Sequence, residues 1–376
     1  METNVSANIM YHFSELSDPR IDRSKLHNLI DIIVIAICAV ICGAKGYTDI
    51  EDFGKSSEDW LRKFLELKNG IPSHDTFRRV FIFINPEDFE RCFLSWINEI
   101  NEVTAGDIVP IDGKTLRRSY DKKLGKSAIH MISAWSNANS LVLGQLKVDD
   151  KSNEITAIPE LLKLLELKGY IVTIDAMGCQ KKIVKEIRSQ EGEYIIALKK
   201  NQGKLFEQTT EYFKNAEDVN FQGIDHESYT TEDEGHGRKE IREYRMVTDI
   251  DWLNKKNEWT DLNSIGMVIS KKTIDNKTTT EKRYYISSLE EGIKDFARGV
   301  RSHWGIENKL HWVLDVQMRE DECRIRTGYA PENFAILRHV ALNLLRQEKS
   351  LKRGIEGKRL KAAVDVNYRE KVLFGN

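Results

Sequence analysis

Up to about residue 105 the apolar positions recur at helical spacing. Residues 26–42 are an almost unbroken apolar run, with Asp22 or Ser24 as its cap and Gly43 and Gly46 closing it. Residues 56–67 put Trp60, Phe64 and Leu67 on one helical face before Asn69-Gly70 breaks the pattern. Ser73-His74-Asp75-Thr76 opens a further helix carrying Arg78 and Arg79, and Pro86-Glu87-Asp88 starts another that runs to Ile100. Past Gly106 the period shortens. Runs at 108–111, 129–135, 141–148, 170–174 and 194–198 are strand-like, and 155–167 and 180–190 are helical stretches between them. Further strand-like runs at 243–247, 266–270 and 283–288 precede the next helical stretch, around residue 307.

The order β-β-β-α-β-α-β is the connectivity of a ribonuclease H-like sheet, in which the first and fourth strands lie side by side. The expected fold is α/β: a ribonuclease H-like catalytic domain over 106–345 with a β-rich insertion at about 203–292, preceded by a small all-α domain over 1–105. A basic tail over 346–376 completes it. In the all-α part, a short helix, a glycine turn and a helix with Arg78 and Arg79 in its first turns resemble a helix-turn-helix, hence a possible DNA contact.

Charge is unevenly distributed. The chain has a net charge of −2, yet from Cys323 onward twelve basic residues face five acidic ones, a candidate polyanion contact. The five cysteines contain no Cys-x-x-Cys pair, which argues against a disulfide framework or zinc knuckle and for a reducing cytosol. The apolar run at 29–44 contains Asp31 and is too short to span a bilayer, so it reads as a buried core helix, with no membrane role.

Three acids carry the candidate chemistry. Asp112 and Asp175 each end a β-branched run, and Glu307 lies in a helical stretch. Adjacent first and fourth strands would bring Asp112 and Asp175 to one sheet edge, where a cation compensates their charge. A two-metal phosphodiester site follows, with Asp112 bridging both ions and Asp175 and Glu307 holding one each. Mg²⁺ is the expected ion and Mn²⁺ the alternative. Lys114, Arg117, Arg118, Lys122, Lys123 and Lys126 follow Asp112 as candidate phosphate contacts. His303, Glu307 and His311 are spaced by four, but without a His-Glu-x-x-His order a zinc hydrolase is disfavoured. His303 or His311 is read as a phosphate contact, and Trp304 or Trp312 as packing in the core or, as the alternative, against an unstacked base, with core packing preferred.

Several segments together resemble insertion-sequence transposases of the DDE type, in particular the group that includes the H-repeat-associated proteins. They are Ile111-Asp112-Gly113-Lys114, Ile174-Asp175-Ala176-Met177, the run from Tyr194 through Lys199 and Lys200 to Gln202, and the run from Arg301 through Glu307 to Val316. The segment from Pro72 to Arg79 resembles that group's amino-terminal associated domain. The resemblance implies a metal-dependent cut at element ends and joining of the freed 3′-hydroxyl to target DNA. It also implies a homodimer on DNA in the bacterial cytosol, associated with the nucleoid. It assigns catalysis and metal binding to Asp112, Asp175 and Glu307, and DNA contact to Lys199 and Lys200. Related transposases place Tyr, Arg and Lys about the catalytic Glu where this chain has Val300, His303 and Leu314. Arg298, Arg301 and Lys309 are the nearby substitutes as phosphate contacts. A catalytically silent DNA-binding descendant, or a nuclease without strand transfer, are the alternative readings.

Overall fold

A computed structural model describes residues 9–21, 25–120, 127–149, 152–235 and 237–375. Asp22, Ser24, Lys122, Lys123 and Lys126 lie outside them. The first hundred residues form α1 (Ile9–Ser14), α2 (Leu29–Ile41), α3 (Tyr47–Ser56), α4 (Glu58–Leu61), α5 (His74–Phe83) and α6 (Pro86–Ile100). The start of α6 follows from local chemistry. The Asn85 side chain accepts from the Glu87 and Asp88 amides, and Pro86 presets the first turn. The expected helix over 56–67 is instead α3, the short α4 and a turned segment in which Leu67 takes φ 44°. The apolar run is indeed buried, as α2, and its Asp31 accepts a hydrogen bond from the Leu67 amide at 3.2 Å.

The sheet begins with β1 (Asp107–Thr115), β2 (His130–Ser136) and β3 (Leu141–Val148). It continues through α7 (Glu154–Lys163), β4 (Tyr170–Ile174), α8 (Lys181–Ser189) and β5 (Glu193–Leu198). Next come α9 (Gly203–Asp218), β6 (Glu227–Gly235), β7 (Arg238–Val247), β8 (Ser264–Ile274) and β9 (Lys277–Ser287). All nine strands form one mixed sheet in the order β3-β2-β1-β4-β5-β9-β8-β7-β6. Strands β1 and β4 are neighbours and parallel, with Ile111 opposite Ile174. The inserted segment corrects the expectation in two respects. It opens with a helix of 16 residues, and its strands extend the central sheet, β9 pairing antiparallel with β5. Strand β6 went unread because its sequence is Glu-Ser-Tyr-Thr-Thr-Glu-Asp-Glu-Gly. Those charges belong to an edge strand, where they discourage pairing with other chains.

Pro110 in a central strand lacks a ladder donor. Its position removes the conflict, since the β1–β2 ladder begins only at Ile111–Ala134, while the β1–β4 ladder runs from Asp107 to Ile111. Asp112 therefore stands one residue beyond the end of β4 pairing, held on its other side opposite Ser133.

After the sheet, α10 (Ile293–His303) lies across β1, β4 and β5. Gly299 permits that approach, since a Cβ there would stand 2.4 Å from Ile195 Cδ1. The chain ends in α11 (Ala330–Gln347), α12 (Ile355–Val364) and α13 (Val366–Phe374). The second correction concerns these residues: 346–376 is not a basic tail. Helix α11 packs against α2, α5, α6 and β3, and α12 packs against α2. Buried Arg359 donates to the Val40 carbonyl, and buried Arg369 donates to the carbonyls of Ala362 and Ala363 and lies over the rings of Phe53 and Trp60. One apolar core runs from Ile9 to Leu373, so the amino-terminal helices are not a separate body.

Strand β3 is an edge of the sheet, yet it is covered. Asn343 of α11 bonds both the N–H and the carbonyl of Val142, at 2.9 and 3.0 Å, and Glu90 of α6 accepts from the Gln145 amide at 3.0 Å. These side chains satisfy a buried strand edge that would otherwise leave polar groups unpaired.

Candidate metal and nucleic-acid site

The point on β1 where its pairing with β4 ends carries the site. Asp112 Oδ1 accepts from the Gly113 amide at 2.9 Å. Asp175 follows the last residue of β4 on the neighbouring strand, and its Oδ1 accepts from the amides of Met177 and Gly178. Beyond α10 the chain widens into two π-helical turns, Glu307–His311 and Val313–Gln317. Such turns recur where a helix must present side chains at an altered angle. Here the first brings Glu307 and His311 to Asp112. His311 Nδ1 lies 3.2 Å from Glu307 Oε2 and 3.6 Å from Asp112 Oδ2. Asp112, Glu307 and His311 each offer a ligand atom, all within 4.8 Å of one another.

The electrostatics bear on a cation. Burial pushes the Asp112 carboxyl up to about 7, and the charges of Glu154, Glu307 and Asp175 add to the rise. Three acids acting on a half-buried fourth is a costly arrangement that a divalent ion relieves. The His311 Nε2 atom is buried and has no protein partner. The carboxylates suit either Mg²⁺ or Mn²⁺, and an imidazole donor at His311 would favour an ion softer than Mg²⁺. His303 instead faces β4, with Nδ1 3.3 Å from Thr173 Oγ1, and burial lowers its pKa.

A second layer lies behind Asp112. Lys114 Nζ is 2.6 Å from Asp315 Oδ1 and 2.5 Å from Glu320 Oε2. Glu320, almost wholly buried, also meets Arg338 at 3.4 Å. Burial alone would raise Glu320, but Lys114 and Arg338 overcome it and hold the carboxyl down at about 2. Lys114 is thus enclosed in an ion network, and the expected phosphate contact there is corrected.

The other expected basic residues are dispersed. Arg117 is exposed and pairs with Asp321 at 3.4 Å, and Arg118 is exposed nearby. Lys199 and Lys200 are exposed just past β5. Arg301 reaches Asp233 of the inserted strands at 3.4 Å, and Lys309 donates to Asn137 Oδ1 at 2.6 Å. Arg298 is turned away from the acids, donating to the carbonyl of Gly106 at the start of β1. Arg78 and Arg79 are exposed on α5, opposite its buried Phe77, Val80 and Phe81. Trp304 and Trp312 are corrections, since both are about half exposed, and Arg283 stacks over Trp304 at 4.7 Å. Val300 and Leu314 are core residues.

Sequence reasoning missed Glu154 and His130. Glu154, the first residue of α7, has Oε1 2.5 Å from His130 Nε2, and His130 Nδ1 is 2.9 Å from Thr115 Oγ1. The pair sits directly above Gly113, where a Cβ would come within 2.2 Å of Glu154 Oε1. Glu154 and Gly113 belong to separate segments, and only the fold shows that they meet.

A model of the transposase DDE domain matches residues 104–344, and one of the DDE-transposase-associated domain matches residues 10–97. The chain belongs to the DDE transposase family. The H repeat-associated putative transposase YhhI of Escherichia coli K12 is 45% identical over 374 residues, covering 98% of each chain. The putative transposase YncI of E. coli O157:H7 is 44% identical, covering 97% of this transposase-family chain and 94% of that one. Among solved structures, the piggyBac transposase synaptic complex with hairpin DNA aligns over 98% of this chain and 76% of that one, at TM-score 0.43 and 10% identity, a likeness too slight to bear on the site. No helix among the described residues is long and apolar enough to cross a membrane.

Proposed function

We propose that the chain cuts phosphodiester bonds at the ends of an insertion sequence and joins the freed 3′-hydroxyl to target DNA. The observation that carries this reading is the meeting of Asp112, Glu307 and His311 within 4.8 Å, with Asp175 one position past the paired strand beside Asp112. The order of the first five strands supports a ribonuclease H-like core. Asp112, Asp175 and Glu307 would hold two divalent cations, Mg²⁺ or Mn²⁺, with His311 beside them. Such ions, when bound, activate the attacking hydroxyl and offset charge developing on the phosphate. The chain's own part is positioning: the end of β1 fixes Asp112, the π-helical turn presents Glu307, and exposed Lys309 and Arg301 stand ready for the DNA backbone. Two element ends brought together call for at least two protomers, hence a homodimer on DNA, at work in the bacterial nucleoid.

The test is cleavage and joining of a duplex carrying the element's inverted repeat, with Mg²⁺ or Mn²⁺. Wild-type protein is expected to yield joined products, and Asp112→Asn to bind DNA without cutting it. Metal-dependent cleavage that survives in Asp112→Asn defeats the assignment. Binding without nicking by the wild type would favour a silent DNA-binding descendant, and hydrolysed but never joined ends a simple nuclease.

A further inference from the structure

A cavity of about 510 Å³ opens between the amino-terminal helices and the strap of chain that joins the second π-helical turn to α11. Lys45, Arg78, Arg319, Arg324 and Arg326 line it. Only two carboxylates, Asp49 and Glu322, stand among the lining residues. Glu322 is engaged by Arg319 at 3.3 Å, and Asp49 accepts from the Lys45 amide at 2.8 Å. The lining holds five cations against two carboxylates; Arg319 is paired with Glu322 and Arg78 lies a loose 3.9 Å from Asp75 at the rim, which leaves a net positive hollow that an anion would balance.

The wall containing Arg319 to Thr327 is fastened to both the candidate site and the helical layer. Arg326 donates to the Arg118 carbonyl at 2.9 Å and lies over the ring of Tyr120 at 5.0 Å. Asp321 meets Arg117. At the other end, the Tyr329 amide donates to the Ile82 carbonyl of α5. Basic side chains thus continue from the extension of β1, a few residues past Asp112, through Arg117 and Arg326 to Arg324 and Arg78 across the cavity. Guanidinium groups match phosphate oxygens in a bidentate fork, and several spread around one mouth suit successive phosphates of a polymer better than a single small anion.

We infer that this cavity is a phosphate-backbone clamp for element-end DNA, gripping the duplex flanking the bond that Asp112, Asp175 and Glu307 are proposed to cut. It rests on that proposed function for the identity of the DNA, but its geometry is separate from the acids. It gives the amino-terminal helices a role that needs no base reading: α3 and α5 contribute Lys45's neighbouring turn and Arg78, while the strap contributes the remaining cations. A duplex is too wide to enter the hollow, so one strand's phosphates line its mouth.

The test uses full-length Arg78→Ala/Arg324→Ala and Arg78→Lys/Arg324→Lys proteins. Binding of a fluorescent inverted-repeat duplex is measured with Ca²⁺ over a range of salt concentrations, beside Mg²⁺-dependent cleavage by the wild type. Both arginines are exposed, so thermal unfolding should be unchanged. The alanine pair is expected to weaken binding by tenfold or more and to lower the salt slope by roughly two, about 0.9 for each phosphate no longer neutralised. The lysine pair should recover most of the affinity and the slope. Affinity and slope within twofold of wild type in the alanine pair, with wild-type cleavage intact, overturn the clamp and leave the transposase reading standing. Arginine-dependent binding without any metal-dependent cleavage would uphold the clamp and defeat that reading. A wild-type protein that binds no duplex overturns both.

Discussion

Lys114 Nζ lies 2.6 Å from Asp315 Oδ1, tying the strand two residues beyond Asp112 to the helical turn eight residues beyond Glu307. The contact joins the two segments that deliver the principal acids. Because Lys114 also neutralises buried Glu320, its removal leaves half-buried Asp315 unpaired and buried Glu320 with Arg338 as its remaining ion-pair partner. Lys114→Met is expected to lower stability by about 3–5 kcal/mol, the cost typical of breaking a buried ion pair. Urea unfolding measures it. A loss below about 1 kcal/mol would mean that Arg338 alone suffices for Glu320.

Glycine at 113 is a requirement of the site's packing. A Cβ there would meet Glu154 Oε1 at 2.2 Å and His130 Nε2 at 2.6 Å. Gly113→Ala should cost about 1–3 kcal/mol as an overpacked substitution. Removing the obstructing carboxylate in Gly113→Ala/Glu154→Ala should return part of that loss. A double mutant whose two effects simply add would place the strain elsewhere.

Glu90 gives a pH dependence independent of the metal site. Burial pushes its carboxyl up to about 8, so the native state keeps a proton that the unfolded chain, near 4.5, has already released. More protons bound in the native state make stability fall as pH rises. The loss should accumulate between about pH 4.5 and 8, and Glu90→Gln should flatten it while still accepting from the Gln145 amide. Thermal melts of both proteins across that window check the point, and parallel curves would rule the group out.

Cation binding should compete with protons at Asp112. With its carboxyl raised to about 7, a divalent ion gains more purchase at pH 8 than at pH 6. Mg²⁺ or Mn²⁺ should therefore raise the melting temperature of wild-type protein, more so at the higher pH. Asp112→Asn should lose most of that rise. A rise equal in the two proteins would locate the ion elsewhere.

Much of the fold was readable because its punctuation is local. Pro86-Glu87-Asp88 marked the start of α6, and β-branched runs between turn residues marked β3 and β4 at their observed bounds. Asp112 and Asp175 could be placed on neighbouring strands because strand order puts β1 beside β4, whereas Glu307 was singled out only from a helical stretch and the family resemblance. What escaped reading depended on distant partners. Arg359 and Arg369 read as part of a basic tail and polyanion contact, but the backbone carbonyls of Val40 and Ala362 receive them inside the fold. His311 was paired by spacing with His303, but the five-residue turn at Glu307–His311 carries it to Asp112 instead. Glu320 belonged to no motif, and Asp315 stood in the run ending at Val316 without a role of its own; the meaning of both came only from Lys114.

The packing of α2 against α11 and α12 has a consequence for biosynthesis. A ribosome releases residues 29–41 roughly three hundred positions before their covering helices exist, so that apolar helix must wait, shielded or chaperoned, until α11 and α12 have emerged. Nascent chains interrupted before Ala330 would be sticky rather than merely shortened.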